Sequence, residues 1–371
     1  SNRYAARDFG ANYLKSCDEE AIIFCNGDND TFPLWYNLEV EQERDDVRAC
    51  NLSYLQTDWY ISQMKRPYYN SPGLPISWEE KDYMPGKNEV VWVENRLNAP
   101  LEVKKAFQFL HSTDPRTKRD GEGYIPSDQL YVFAPDSQKI MFKKARRFTR
   151  SEMMVMDMLS TNEWKRPMYF AVTIGNDYHL GLDPYLELTG LAYRITPERS
   201  ADGRHRVNTE VMYDNMLHKF KYGNMNVPGI YIDENTMRMC RTHRMMFMEL
   251  AEALYDEGKH EKCLRVLDFA EEMLPGYNIP YDYTSASMAV YYYELGEIAK
   301  GNAIMTKVAD NCAEYLAWGA SLPKEQRASS QSTLGQQMAI FSYVLQNFER
   351  YEQQDLLDYY YNLYVQYASV R

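Results

Sequence analysis

The chain has 371 residues, 45% of them hydrophobic and 14% aromatic, enough for one large core or two ordinary ones, so two domains are expected. Lys and Arg number 41 against 53 Asp and Glu, a net charge of -12 with no long basic block, which argues against a nucleic-acid partner. No apolar run approaches the roughly 20 residues that span a bilayer. The six scattered cysteines contain no CxxC, so neither a zinc site nor a disulfide framework is expected, and Cys25 and Cys50 read as small buried hydrophobes.

In chain order, residues 5–16 carry a helical pattern, and "AIIFC" at 21–25 is a short apolar run ended by Asn26-Gly27, as expected of a strand covered on both faces. A helix is predicted over about 33–42, with Pro33 in its first turn. A second strand follows at 47–52 and a helix at about 58–65, which together make a βαβ unit with parallel strands. Residues 67–125 read as a largely irregular insertion with a strand near 90–94 and a helix at 101–111. Segments 129–134 and 139–142 read as a hairpin. Thr149 and Glu152 form a capping-box pattern ahead of a helix that stops near Trp164, and 168–173 is a further buried strand leading into Gly175-Asn176-Asp177. The expected N-terminal domain, 1–235, is therefore α/β with a mainly parallel, Rossmann-like sheet.

From about residue 236 the pattern is entirely helical. Phe247, Leu250, Ala251, Leu254, Gly258, Cys263, Leu267, Ala270 and Pro275 fall at tetratricopeptide-repeat spacing. Met288, Ala289, Tyr292, Gly296, Gly301 and Met305 give a weaker second copy, and helices at about 333–347 and 353–368 a degenerate third. One helical pair cannot bury its own apolar face, so residues 236–371 are expected to stack as an all-α, tetratricopeptide-like domain.

Ligands of parallel sheets bind outside the carboxyl ends of the strands, and acids and amides crowd those ends here. Asp28, Asn29, Asp30 and Thr31 follow the first strand, Asp58, Trp59 and Tyr60 the second, and Asn176, Asp177 and His179 a later one. Converging carboxylates of Asp28, Asp30 and Asp177 could hold a divalent cation (Mg²⁺, Mn²⁺ or Ca²⁺), or the crevice could bind sugar hydroxyls, with Trp35, Trp59 and Tyr60 as stacking surface. The competing expectation is plain helix capping by Asp30, Thr31 and Asp58. His179 could act as an acid or base, but a solvent-exposed or capping histidine is the simpler expectation. Neither GxGxxG nor GxxxxGK[ST] is present, so a nucleotide site has no support.

The stretches "GDNDTFPLWYNLEVE", "DVRACNLSYLQTDWYISQMKR" and "YDNMLHKFKYGN" resemble a family of large multi-spanning membrane proteins of Bacteroidota. Their membrane region is similar to protein O-mannosyltransferases of the GT-C glycosyltransferase superfamily, and this chain looks like their soluble C-terminal part. The resemblance implies an extracytoplasmic, periplasmic location, a partner in the protein's own N-terminal membrane region, and a catalytic acid that lies on that region. The opening Ser1-Asn2, without a methionine, fits a piece cut from a longer parent. Two functions compete: a non-catalytic module binding acceptor protein, glycan or partner subunit, and a metal-dependent enzyme domain for glycosyl or phosphoryl transfer or hydrolysis.

Overall fold

Ile22–Cys25 (β1), Arg48–Asn51 (β2) and Met168–Ala171 are buried along their whole length, as strands covered on both faces must be. In the computed structural model, which describes residues 4–368, β1 pairs in parallel with β2 on one side and with Met168–Ala171 on the other. The chain forms two compact units, the first ending at Gly223 and the second beginning at Asn224.

The expected βαβ unit is present, in a sheet that is mixed: three of its five strand pairings are parallel and two antiparallel. Beyond Met168–Ala171 lie Ala192–Ile195 and Leu186–Leu188, both joined by antiparallel pairing, then Arg206–Val207, parallel to Leu186–Leu188 at one edge of the six-stranded sheet, with β2 at the other. The reason is the length of the connections. A parallel return needs a crossover of about a dozen residues or more, whereas only residues 189–191 separate Leu186–Leu188 from Ala192–Ile195.

Helix α1 (Ala5–Lys15) packs on α2 (Asp28–Tyr36) at Gly10, where an added Cβ would stand 2.3 Å from the Pro33 carbonyl oxygen. That contact fixes the helix carrying the acidic turn. Helix α2 begins at Asp28, five residues earlier than Pro33 predicts, because Gly27 at φ 94° turns the chain straight from the strand end into the helix. Pro33 thus sits inside α2, and the helix runs on into a wider π turn over Asn37–Glu41. The hairpin forms from Leu130–Phe133 and Lys139–Met141. Thr149 and Glu152 make the expected capping box of helix Arg150–Asn162, the Glu152 carboxylate accepting from the Thr149 N–H at 2.9 Å.

The second unit is helical. Its long helices pack as successive pairs, Glu234–Asp256 with His260–Met273, Tyr283–Glu294 with Ile298–Ser321, and Gln331–Arg350 with Gln354–Ala368. The first helix of each pair closes with the same turn. The N–H of Lys259, Glu297 and Gln353 returns to the carbonyl of Leu254, Tyr292 and Phe348, five residues back in each case, and the preceding residue is left-handed. That is a Schellman end, and its left-handed position holds Gly258, Gly296 and Glu352 in turn.

Candidate functional site

The carboxyl ends of the three parallel strands lie side by side, and the predicted residues converge on them only in part. Helix α3 (Asp58–Met64) supplies the second motif. Asp30 and Thr31 are each 1% exposed, and Asp28 and Asn29 lie in solvent. Asp30 does not cap a helix. Its Oδ2 accepts from the Asn26 N–H at 3.2 Å and from the Thr173 hydroxyl at 2.7 Å, tying the turn after β1 to the segment after Met168–Ala171. Burial pushes the Asp30 carboxyl above the ordinary carboxylate range, and the hydrogen bonds from Thr173, Asn26 and neighbouring amides pull the other way.

Thr31 accepts from the Asn51 side-chain amide at 2.9 Å, and Asn51 in turn receives the Tyr54 N–H at 3.0 Å and gives its own N–H to the Tyr60 hydroxyl at 2.9 Å. Ser53 closes the ring by donating to the Asn26 side chain at 2.6 Å. Arg150, 2% exposed, secures the loop beneath α3 by donating to the Gln56 carbonyl at 2.5 Å. The two motifs are thus one hydrogen-bonded assembly. Asp58 is the first residue of α3 after Thr57, with no side-chain cap, so the capping expectation fails there as well.

The acidic crevice does not form. Among the described residues no three His, Cys, Asp or Glu side chains gather as they would around a metal ion, so Asp28, Asp30 and Asp177 are not such a group. Asn176 and Asp177 are exposed on a short 3₁₀ turn, and it is the Asp177 backbone carbonyl that receives the Lys143 ammonium at 2.7 Å. His179 is buried rather than exposed. Its Nδ1 lies 2.9 Å from Asp183, its Nε2 has no partner, and its ring lies against Phe170 and Tyr193.

Above the polar assembly stands an aromatic shelf. Phe32 and Trp35 have ring centroids 5.8 Å apart, Trp35 stacks on Tyr54 at 6.0 Å, and Tyr54 meets Trp59 at 6.0 Å and Tyr60 at 5.6 Å. Phe32 is 51% and Trp59 56% exposed, so the shelf presents open ring faces while Tyr60 beneath it is buried. Phe32, Tyr54, Asn51 and Thr173 were not among the expected site residues. Asn51 could have been recognised as the strand-end counterpart of Asn26; Thr173 gives no sequence signal at all.

These features define a mixed α/β domain with an aromatic shelf over a buried polar strand end, followed by a helical-pair domain. The family model described as TMEM260-associated domain 2 matches residues 6–145 and 133–215, together more than half of the chain, and the chain belongs to that family, a domain associated with a membrane protein. No curated protein and no solved structure matches the chain. Among the described residues no helix is long and apolar enough to cross a membrane.

Proposed function

We propose that the chain is a non-catalytic recognition module of a membrane glycosyltransferase-like protein, held on the extracytoplasmic side, and that its α/β unit binds a glycan on the shelf of Phe32, Trp35, Tyr54 and Trp59. The observation that carries this reading is the contrast at the strand ends. Asp30, the one buried acid there, is committed to holding the turn together, while flat, partly exposed rings remain free to stack on a ligand. Membership of the TMEM260-associated family supports placement beside a membrane enzyme. The helical unit, read as tetratricopeptide-like from its spacing and its repeated turn, supplies a second surface for a protein partner.

The test is retention of the purified chain on an array of oligosaccharides, repeated with Phe32→Ala and Trp59→Ala. Each ring lost from a stacking platform is expected to weaken retention about tenfold, with the melting temperature unchanged, because both side chains are largely in solvent. Retention that survives both substitutions would overturn the shelf as the binding surface. Turnover of a glycoside or sugar phosphate by the isolated chain would overturn its non-catalytic assignment.

A further inference from the structure

A cavity of about 260 Å³ opens along the free edge of β2, beside the shelf and distinct from the acidic turn. Trp35 and Trp59 flank it, and Glu39, Asp45, Arg48, Tyr68 and Tyr69 line it. The N–H groups of Arg48 and Leu52 bond to β1, so alternation turns those of Ala49 and Asn51 outward, and Tyr60 already occupies that of Asn51. Ala49 is among the residues that line the cavity.

Arg48 is the unusual group. It is 5% exposed, it donates through Nη2 to the carbonyls of Gln63 and Arg66 at 3.2 Å each, and its buried Nη1 has no partner. Its guanidinium lies 5.3 Å from the Tyr68 ring centre rather than against a carboxylate. A charged donor left unmade in a buried place is costly, and Nη1 therefore stands ready for the acceptor of a ligand that enters the cavity. Glu39 also lines the cavity, and its carboxylate is held by the hydroxyls of Tyr68 at 2.8 Å and Tyr69 at 3.0 Å, which fixes its direction and leaves lone pairs for a further donor.

A fixed donor and a fixed acceptor between two indoles match a ring that carries hydroxyls on its rim and C–H bonds on its face. Each hydroxyl can accept from Arg48 and donate to Glu39. The volume lies below the roughly 300–1,000 Å³ of sites for drug-sized ligands and suits a single sugar ring. An anionic sugar fits less well, because it would meet Glu39 and Asp45 against one guanidinium.

We infer that this cavity is a saccharide subsite that seats one neutral pyranose ring, with Trp35 and Trp59 against its faces and Arg48 and Glu39 on its hydroxyls. The inference rests on the recognition reading above and names the ligand class of the surface beside the shelf.

It is tested with the full 371-residue chain by saturation-transfer NMR and calorimetry, using the methyl glycosides of glucose, galactose and mannose, with glucuronic acid as the anionic counterpart. At least one neutral glycoside is expected to receive saturation and to bind about tenfold more weakly to Glu39→Gln and to Arg48→Lys. Because Arg48 also holds two backbone carbonyls, Arg48→Lys could fail to fold; Glu39 lies in solvent, and Glu39→Gln alone then carries the test. Phe32→Ala, outside the cavity, is expected to weaken array retention and leave monosaccharide binding unchanged; array retention that survives Phe32→Ala and Trp59→Ala, with a neutral glycoside still bound by the wild-type chain and lost from Glu39→Gln, would sink the shelf and spare the subsite. Absence of saturation with every neutral glycoside, indifference to Glu39→Gln, or tighter binding of glucuronic acid would each overturn the inference.

Discussion

Asp28 and Asp30 are two positions apart and live in different environments. Asp28 projects into solvent from the first turn of α2, where it gains only the favourable end of the helix dipole. Asp30 is buried and receives two hydrogen bonds, one from a residue 143 positions away. Asp30→Ala is therefore expected to cost about 2 kcal/mol, by removing the acceptor that ties the half-buried Asn26 amide to the Thr173 hydroxyl, and Asp28→Ala less than about 1 kcal/mol. Urea melts of the two variants check this directly; equal losses would mean that the strand-end assembly does not depend on Asp30. The same pair shows how far the site can be read in the sequence. Acids, amides and aromatics at strand ends were legible because strand and turn are local patterns. Which acid is buried was not, because the answer lies with Thr173 and Asn51, which only the sheet order brings alongside.

At the scale of elements, the parts that could be read were those whose determinants lie within a few residues. The buried tetrads of β1 and β2 and the Thr149–Glu152 capping box are of this kind. The antiparallel return over Leu186–Leu188 and Ala192–Ile195 is not legible because its strands are too short to show a period, and the start of α2 reads five residues late because Pro33 is a stronger local signal than Gly27. In the helical unit the repeat is carried by a turn as much as by packing. The third Schellman end places Glu352 at φ 57°, where the first two use glycine, and the Glu352 side chain is exposed. A side chain in left-handed backbone costs about 1 kcal/mol. The extra freedom glycine gives the unfolded chain returns part of that. Glu352→Gly is thus expected to stabilise the helical unit by about 0.5 kcal/mol, raising its melting temperature by one or two degrees. A lower melting temperature would show that Glu352 does more than occupy the turn.

For the whole molecule, the two units carry buried titratable groups of opposite sense. In the α/β unit Asp157 is 2% exposed and accepts from the Ser77 N–H at 2.6 Å and hydroxyl at 2.5 Å, yet burial outweighs both bonds and lifts its pKa from 3.8 to about 6. Between those values the folded chain binds more protons than the unfolded one, so this contribution makes the unit less stable as the pH rises from 4 to 6, by about 3 kcal/mol in full. Asp30, raised by the same cause, adds in the same direction. In the helical unit His243 is 1% exposed, with Nδ1 2.8 Å from the Met239 carbonyl, and burial lowers its pKa from 6.5 to about 4. There the unfolded chain takes up the proton first, so stability is lost as the pH falls from 6.5 towards 4, again by about 3 kcal/mol. Calorimetry at pH 4, 5, 6 and 7 should detect these opposed slopes, and the variants isolate them from the surface carboxylates common to every sample. Asp157→Asn is expected to remove the decline of the α/β unit between pH 4 and 6, and His243→Met to remove the acid sensitivity of the helical unit below pH 6.5. If both variants keep the wild-type pH profile, burial does not hold these groups in their neutral forms, and the opposition between the two cores is lost with it.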